Sequence, residues 1–163
     1  MKHLINSLES LIENPAKGLA EDVFLFVSRI TPLVNVDLLI KHERGMTLLT
    51  WREDGLHPPC WHIPGGIIRF KEAISDRIRA VARAELGTEV AFLKAPRAFN
   101  EYIHPSRNVR GHFISLLFDC TLISPPDPNL MFEKGTPKPG QWAWHQKCPD
   151  NLITGQEMYR EVF

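Results

Sequence analysis

Apolar residues recur at helical spacing near the start of the chain and predict two helices. Pro15 ends the first helix, and the second extends from about Pro15 to Pro32. The apolar positions are Leu4, Ile5, Leu8, Leu11 and Ile12 in the first helix and Leu19, Val23, Phe26 and Ile30 in the second. Residues 1–30 are therefore predicted to form an N-terminal helical cap.

From Leu33 the apolar residues alternate with a period of two, which is typical of strands. The stretch LVNVDLLIKH, the turn residues ERG and the stretch MTLLTWRE predict a β-hairpin. The prolines and glycines of DGLHPPCWHIPGG, residues 54–66, predict a loop without regular structure. The stretch KEAISDRIRAVARAELG, residues 71–87, predicts a helix that Gly87 ends.

The second half of the chain is predicted to be mostly strands. Residues 89–105 and 112–123 predict strands separated by the polar loop SRNVRG, and residues 125–140 predict a loop. The stretch QWAWHQ predicts a short strand, and LITGQEMYREVF predicts a closing helix. Strands surround one long helix, so we expect an α/β protein with a mixed sheet between helices, in one domain spanning residues 1–163.

Charge and cysteine content narrow the classes of function. Lys plus Arg and Asp plus Glu both number 19, which excludes the uniform positive field typical of nucleic-acid or membrane-surface binding. Three cysteines without a CxxC pair argue against a zinc site or a disulfide framework. We expect a cytoplasmic protein with reduced thiols that acts on a small molecule.

The segment from Gly65 to Gly87 carries the most informative polar residues. Glu85 shares a helix face with the apolar Ile78 and Val81, so either a cation pairs with its carboxylate or the last helical turn frays and the carboxylate turns into water. Gly65 and Gly66 either allow close approach of an anionic ligand to the backbone or form a plain turn.

The stretch GIIRFKEAISDRIRAVARAELGT resembles the Nudix box, and residues 65–88 would form its loop, helix and loop. Gly66, Glu72, Glu85 and Gly87 stand at the expected positions. The box arginine, two of its glutamates and its final bulky residue are replaced, by Ala80, Val81, Ala84 and Thr88. The resemblance implies the Nudix fold, but these losses do not suit a pyrophosphate-cleaving enzyme that uses several glutamates to hold metal ions.

Residues 31–87 resemble the GDP-mannose mannosyl hydrolases, a Nudix subfamily with a similarly depleted box, through TPLVNVDLLI, LLTWRE, WHIPGG and AELG. The resemblance implies hydrolysis of GDP-mannose or a related GDP-hexose by attack of water on the anomeric carbon. It also implies that Glu85 and the Gly65 carbonyl hold one Mg²⁺, with Mn²⁺ as a substitute, that Arg52 stabilises the leaving diphosphate, and that Asp37 lies near the substrate. Oxygen donors of this kind suit Mg²⁺. Glu72 is expected to cap the helix or to pair with a cation such as Arg79.

The general base is the weak point of the resemblance. The subfamily's Gln-His pair before an aromatic-x-Trp strand aligns with Lys138 and Pro139, and neither residue suits a general base. Gln141 is an alternative metal ligand if the loop shifts. Alternative bases are Glu101, as an acidic residue outside the box, and three histidines, namely His104, His112 and His145.

Aromatic residues are candidates for contact with the nucleotide base. Phe113 stands where the subfamily has a tyrosine, and Tyr102, Trp142 and Trp144 are the other candidates, although aromatic strand residues are more often core. Phosphorus attack and a catalytically inactive nucleotide-sugar-binding module remain the alternative functions. The subfamily also implies a homodimer through the N-terminal helices.

Overall fold

The computed structural model describes residues 1–163, which begin with short helical segments. Helix α1 spans Lys2–Ser10 and buries none of its side chains, and helix α2 spans Glu21–Val27 and buries Val23. The predicted second helix is shorter than expected because a 3₁₀ turn over Pro15–Lys17 leads into Gly18, whose φ of +115° is incompatible with a helix.

Eight strands form two sheets. The larger sheet has the order β4-β1-β7-β5, with β6 also paired to β7. β1 and β7 are parallel, with Val36 opposite Leu116, and the other pairs are antiparallel, which makes this sheet mixed. Its strands are β1 Leu33–Ile40, β4 Gly65–Ile67, β5 Val90–Phe92, β6 Ala98–Ile103 and β7 His112–Leu122.

The smaller sheet is antiparallel and has the order β3-β2-β8. Its strands are β2 Thr47–Arg52, β3 Cys60–His62 and β8 Trp142–His145. The register of β2 and β3 places Thr50 opposite His62. This pairing brings a polar residue of each strand toward the same site.

The predicted hairpin of β1 and β2 is wrong, although its turn is present. The amide of His42 donates to the carbonyl of Met46 at 2.8 Å, and the single bridge Lys41 to Thr47 follows. Beyond this bridge the strands separate into different sheets. Leu38 and Leu48 then pack in one core that both sheets share.

The predicted irregular loop over residues 54–66 is also wrong in part, because it contains β3 and the start of β4. Each strand is only three residues long, and Pro64 lies between them. Proline excludes long strands, but a short strand can pair with a neighbour on either side of it.

Helix α3 spans Ile74–Leu86 and covers one face of the large sheet. It begins three residues later than expected, after Lys71, which has a φ of +58°, and it ends as predicted at Gly87, which is left-handed with a φ of +62°. Its apolar stripe joins the core that contains Val36 and Leu38.

The C-terminal segment covers the other face of the large sheet. It forms a 3₁₀ helix over Glu157–Val162 where a longer closing helix was predicted. Tyr159 packs with Leu39 and Leu117 in a second core, and Gly155, with a φ of +103°, breaks the predicted helix. The α/β class with a sheet between helical layers is confirmed. None of the helices has the length and apolar character needed to cross a bilayer.

Candidate active site

One pocket brings together several of the residues that the sequence predicts for the functional site. It has a volume of about 190 Å³ and lies beside the pairing of β1 with β4. Four predicted site residues line it, namely Asp37, Arg52, Gly65 and Phe113. The volume is below the roughly 300–1,000 Å³ of whole-ligand pockets. The pocket therefore fits the charged centre of a ligand better than an entire nucleotide sugar.

Glu85 is fixed at the edge of this pocket by two hydrogen bonds. The amide of Gly65 donates to Glu85 Oε1 at 3.2 Å, and the Thr50 hydroxyl donates to Oε2 at 2.8 Å. The last turn of α3 is intact, since Gly87 closes it. The carboxylate therefore turns toward the site rather than into water, and its partners are neutral donors rather than a cation.

The carboxylate of Glu85 forms no ion pair with a lysine or arginine. Burial raises its pKa to about 7, against the lowering effects of the Thr50 and Gly65 hydrogen bonds and of the Arg52 charge. His62 Nε2 lies 3.8 Å from Oε2, but burial and the Arg52 charge lower the pKa of His62 to about 4. His62 is thus neutral near pH 7 and forms no ion pair with Glu85.

This donor set fits a hard divalent cation, for which the protein would supply few ligands. No cluster of three or more His, Cys, Asp or Glu side chains is arranged to hold a metal ion. Glu85 supplies a carboxylate without an ion-pair partner. Gly65, whose amide binds this carboxylate, lines the pocket, and its carbonyl is the second candidate ligand. Mg²⁺ commonly takes one or two carboxylates and completes its shell with phosphate oxygens and water.

Asp37 is the only carboxyl side chain that lines the pocket. Tyr159 donates to Oδ2 at 2.8 Å, while Gln156 and Asn35 donate to Oδ1 at 3.2 and 3.0 Å. Burial raises the pKa of Asp37 to about 7, although the three hydrogen bonds lower it, and the Glu85 charge adds to the rise. Its carboxyl therefore titrates near neutrality in a fixed orientation.

Arg52 holds its guanidinium at the pocket through Asp54. Arg52 Nε lies 2.6 Å from Asp54 Oδ2, and the amides of Leu56 and His57 donate to Asp54 Oδ1. Partial burial raises the pKa of Asp54. The hydrogen bonds from Arg52 and the backbone together lower it by more, so this carboxylate stays ionised. The loop after β2 is thus folded around Arg52.

Several predicted base and ligand candidates lie away from the pocket lining. Glu101 is 60% exposed and pairs with His112 Nε2 at 3.1 Å, because strand alternation turns it opposite to Tyr102, which does line the pocket. His145 packs against the Trp61 ring. Gln141 accepts a hydrogen bond from the Lys138 amide, within its own loop.

Tyr102 joins Phe113 at the pocket, whereas the tryptophans of β8 do not. Trp142 is buried in the main core, and Trp144 packs against that core. The two aromatic rings of β6 and β7 are thus the stacking candidates that the fold places at the site.

Glu72 does not pair with Arg79 as expected, and it does not cap α3. It accepts two hydrogen bonds of 2.8 Å from Arg77, and its Oε2 also accepts from the Arg69 amide. Arg79 instead pairs with Asp76. Because Glu72 precedes the first residue of α3, the side chain of Arg77 reaches back to it and closes the loop before the helix.

Sequence reasoning missed other residues of the site. Thr50 and His62 come from paired strands, and Gln156 and Tyr159 reach Asp37 across separations of 119 and 122 residues, for which no local pattern exists. The loop SRNVRG contributes Arg107 and Arg110. Two arginines in so short a polar loop are a sequence feature from which their place at the site could have been predicted.

Comparison with known proteins finds relatives in sequence and in fold. No family model matches the chain. The chain is 32% identical to the "Low-salt glycan biosynthesis protein Agl8" of Haloferax volcanii over 122 residues, which cover 72% of this chain and 75% of that protein. It is 27% identical over 92 residues to the ADP-ribose pyrophosphatase of Methanocaldococcus jannaschii, covering 56% of this chain and about half, 52%, of that enzyme.

The fold also matches solved structures. The crystal structure of a MutT Nudix hydrolase from Burkholderia pseudomallei superposes with a TM-score of 0.62 at 18% identity, covering 81% of this chain and 98% of that chain. At this identity the match shows the fold, and the fold is the one that the box at residues 65–88 implied. The chain therefore has the Nudix fold and is related in sequence to the Haloferax protein over most of its length.

Proposed function

We propose that this protein is a Mg²⁺-dependent hydrolase of a nucleoside diphosphate sugar, with GDP-mannose or a related GDP-hexose as substrate. Water attacks the anomeric carbon, the bond from that carbon to the diphosphate oxygen breaks, and its electron pair leaves with the nucleoside diphosphate. The sugar is released as the free hexose. The observation that carries this proposal is a buried carboxylate without an ion-pair partner, Glu85, beside a pocket lined by Arg52.

The small number of glutamates left in the box favours attack on carbon over attack on phosphorus. Attack on carbon places the developing negative charge on the departing diphosphate, so one cation and one guanidinium aimed at that oxygen lower the barrier. Val81 and Ala84 stand where two further box glutamates would lie. The residues retained here suit stabilisation of a leaving group better than activation of water by several metal ions.

Arg52 and Glu85 have different roles at the diphosphate. Arg52 contacts the leaving oxygen and stabilises its charge as the bond breaks. Glu85 and the Gly65 carbonyl would hold Mg²⁺, which would neutralise diphosphate charge as a Lewis acid. The hydrogen bonds from Thr50 and the Gly65 amide fix the direction of the Glu85 carboxylate.

We assign the general base to Asp37. It is the only carboxyl side chain on the pocket lining, and burial raises its pKa to about 7, close to the value at which a base works best at neutral pH. Its carboxylate takes a proton from the attacking water. Tyr159, Gln156 and Asn35 hold it in place, and Asp37 takes the role of base that the missing Gln-His pair has in the subfamily.

A sugar-linked substrate agrees with one relative. The Haloferax protein is named for glycan biosynthesis, a process that uses activated sugars. Tyr102 and Phe113 supply aromatic faces at the pocket on which a nucleotide base or a sugar can stack.

Phosphorus attack is the second candidate, and the other relative favours it. The Methanocaldococcus enzyme is an ADP-ribose pyrophosphatase, so a related chain is named for cleavage between phosphates. This reaction would release a nucleoside monophosphate and a sugar phosphate. A nucleotide-sugar-binding module without turnover is the third possibility.

Product analysis separates the three. The purified protein is incubated with GDP-mannose and Mg²⁺ in ¹⁸O-labelled water, beside Glu85→Gln and the exposed control Glu133→Gln. We expect GDP and ¹⁸O-labelled mannose from the wild type and the control, and strongly reduced turnover from Glu85→Gln. Labelled GMP or mannose 1-phosphate would establish phosphorus attack, and saturable binding without products would establish a binding module.

We also propose a homodimer formed through α1. Its apolar residues Leu4, Ile5 and Leu8 are 60%, 48% and 40% exposed, and α1 buries no side chain in its own chain. Light scattering is expected to give twice the chain mass, and Leu8→Glu is expected to restore the monomer mass. A monomeric wild type would contradict the dimer without affecting the proposed reaction.

We propose that the protein is located in the cytoplasm. Cys60, Cys120 and Cys148 are all free thiols, and free thiols persist in a reducing compartment. Thiol titration of protein purified without reductant, compared with protein purified in its presence, tests whether the three remain reduced.

A further inference from the structure

The loop between β6 and β7 brings two further arginines to the pocket. Arg107 and Arg110 line it together with Arg52, so three arginines border one small cavity. Asp54 compensates the charge of Arg52 at 2.6 Å. Neither of the loop arginines forms an ion pair with a carboxylate.

Arg107 is held by neutral partners. One terminal nitrogen lies 2.9 Å from His57 Nε2, and the other donates to the Leu56 carbonyl at 2.8 Å. These contacts join the 104–111 loop to the loop after β2. They orient the guanidinium without neutralising it, so its charge is available to a ligand.

Arg110 is held by the N-terminal helical segment. Its guanidinium lies 5.7 Å from the ring centroid of Phe24, and its backbone amide donates to Ser28 Oγ at 3.1 Å. The residue adopts a φ of +49°, which is uncommon for a side chain other than Gly, Asn or Asp and is often found at functional sites. Its buried Nε has no hydrogen-bond partner within the protein.

The loop arginines and Glu85 belong to different hydrogen-bond networks. Glu85 accepts from Thr50 and Gly65, whereas Arg107 contacts His57 and Leu56. Burial and then the Arg52 charge lower the pKa of Arg110, the Asp54 and Glu21 charges raise it, and the Arg107 charge lowers it by less.

We propose that Arg107 and Arg110 form an oxyanion subsite, separate from Glu85, that holds an anionic group of the substrate. The inference deepens the proposed function and rests on it for the identity of that substrate. A buried donor without a partner is costly unless an acceptor binds there, and neither loop arginine has an ion-pair partner in the protein. Planar guanidinium groups match phosphate and carboxylate oxygens in a bidentate geometry.

Two groups of a nucleotide sugar have this chemistry. One is a diphosphate oxygen that the proposed Mg²⁺ site does not hold, and the other is the carboxylate of an acidic sugar. Inorganic pyrophosphate probes the first group. GDP-mannuronate compared with GDP-mannose probes the second, because these ligands differ only at C6 of the sugar.

The first experiment measures pyrophosphate binding by calorimetry in the presence of EDTA. The variants are Arg110→Gln and Arg107→Gln, and the control is Arg44→Gln, an exposed arginine that does not line the pocket. Loss of a charged hydrogen bond predicts about tenfold weaker binding for either loop variant. Arg44→Gln is expected to bind as the wild type does. Circular dichroism checks that each variant is folded.

The second experiment measures dissociation constants for both GDP-sugars with wild type and Arg110→Gln. If the subsite holds the diphosphate, both affinities fall alike. If it holds a sugar carboxylate, the wild type prefers GDP-mannuronate and the variant loses that preference. Folded loop variants that bind pyrophosphate and both GDP-sugars as tightly as the wild type would overturn the subsite.

These results are independent of turnover. Arginine-dependent pyrophosphate binding without hydrolysis of any GDP-sugar would retain the subsite and reject the proposed reaction. Hydrolysis of GDP-mannose that is equal in wild type and both loop variants, with unchanged affinities, would retain the reaction and reject the subsite.

Discussion

The hydroxyl of Thr50 donates a 2.8 Å hydrogen bond to Glu85 Oε2 and so connects the small sheet to the end of α3. Thr50 Oγ1 also lies 2.9 Å from His62 Nε2 on the paired strand. Thr50 is 1% exposed, so no water can easily replace its hydroxyl. The direction of the proposed metal ligand is thus set by a buried residue of another layer.

Replacing Thr50 tests this relationship. Thr50→Val keeps the shape of the side chain but removes the hydroxyl, and partners of metal ligands commonly change metal affinity by about 10–100-fold. We expect Thr50→Val to weaken Mn²⁺ binding by about tenfold, as measured by electron paramagnetic resonance, and Thr50→Ser to bind nearly as the wild type does. Equal affinity in all three proteins would show that the hydroxyl does not position Glu85.

Arg52 is expected to act in the transition state more than in binding. Because its guanidinium is assigned to charge that develops on the leaving diphosphate, Arg52→Ala should lower kcat by about 100-fold or more and change KM much less. Steady-state kinetics with GDP-mannose measures both constants. Arg97→Ala, which removes an exposed arginine paired with Asp119, is the matched control. An unchanged kcat would remove Arg52 from the mechanism.

Asp37 is expected to make folding stability depend on pH. Burial raises its pKa from 3.8 to about 7, so between these values the native state holds a proton that the unfolded chain has lost. This contribution is fully present below about pH 4 and is lost as pH rises through about 7. The free energy of unfolding therefore falls with rising pH, by at most about 1.4 kcal/mol per pH unit for one proton.

Urea unfolding across this range measures that slope. Asp37→Asn should flatten it, since the amide does not titrate. Glu85→Gln is the companion variant, because burial raises the pKa of Glu85 to about 7 as well and adds a slope of the same sign. A slope that neither variant alters would contradict the raised pKa values.

Gly65 is expected to tolerate no side chain. A Cβ atom there would lie 2.6 Å from Asp37 Oδ1 and 2.8 Å from the Val36 carbonyl, and both neighbours are fixed in β1. Gly65→Ala should lower the free energy of unfolding by about 1–3 kcal/mol and weaken metal binding. In Gly45→Ala a Cβ would meet nothing within 4 Å, so this control reports only the cost of a positive φ. Denaturant unfolding and Mn²⁺ titration of both variants make the comparison.

Residues close in sequence were the predictable part of the fold and the site. The stripe of Ile78 and Val81 and the stop at Gly87 located α3, because a helix is recorded in spacings of three and four residues. The resemblance of the box led to Gly65 and Glu85. Asp37 and Arg52 followed from the same resemblance, and all four lie at one site.

Partners set by tertiary packing were not predictable. A three-residue strand such as β3 has no period to detect, and its existence depends on pairing with β2. The separation of β1 from β2 depends on a core that both sheets share. Glu72 pairs with Arg77 rather than with Arg79 because α3 begins later than its sequence pattern suggests.

The hydrogen bonds from Gln156 and Tyr159 to Asp37 have a consequence for the order of assembly. The central strand β1 is synthesised long before residues 156–159, and until they arrive Asp37 has only the hydrogen bond from Asn35 of its own strand. A nascent chain stalled before that point would carry most of the fold but an incomplete site around Asp37. The proposed hydrolysis would therefore begin only after residues 156–159 had left the ribosome and packed against β1.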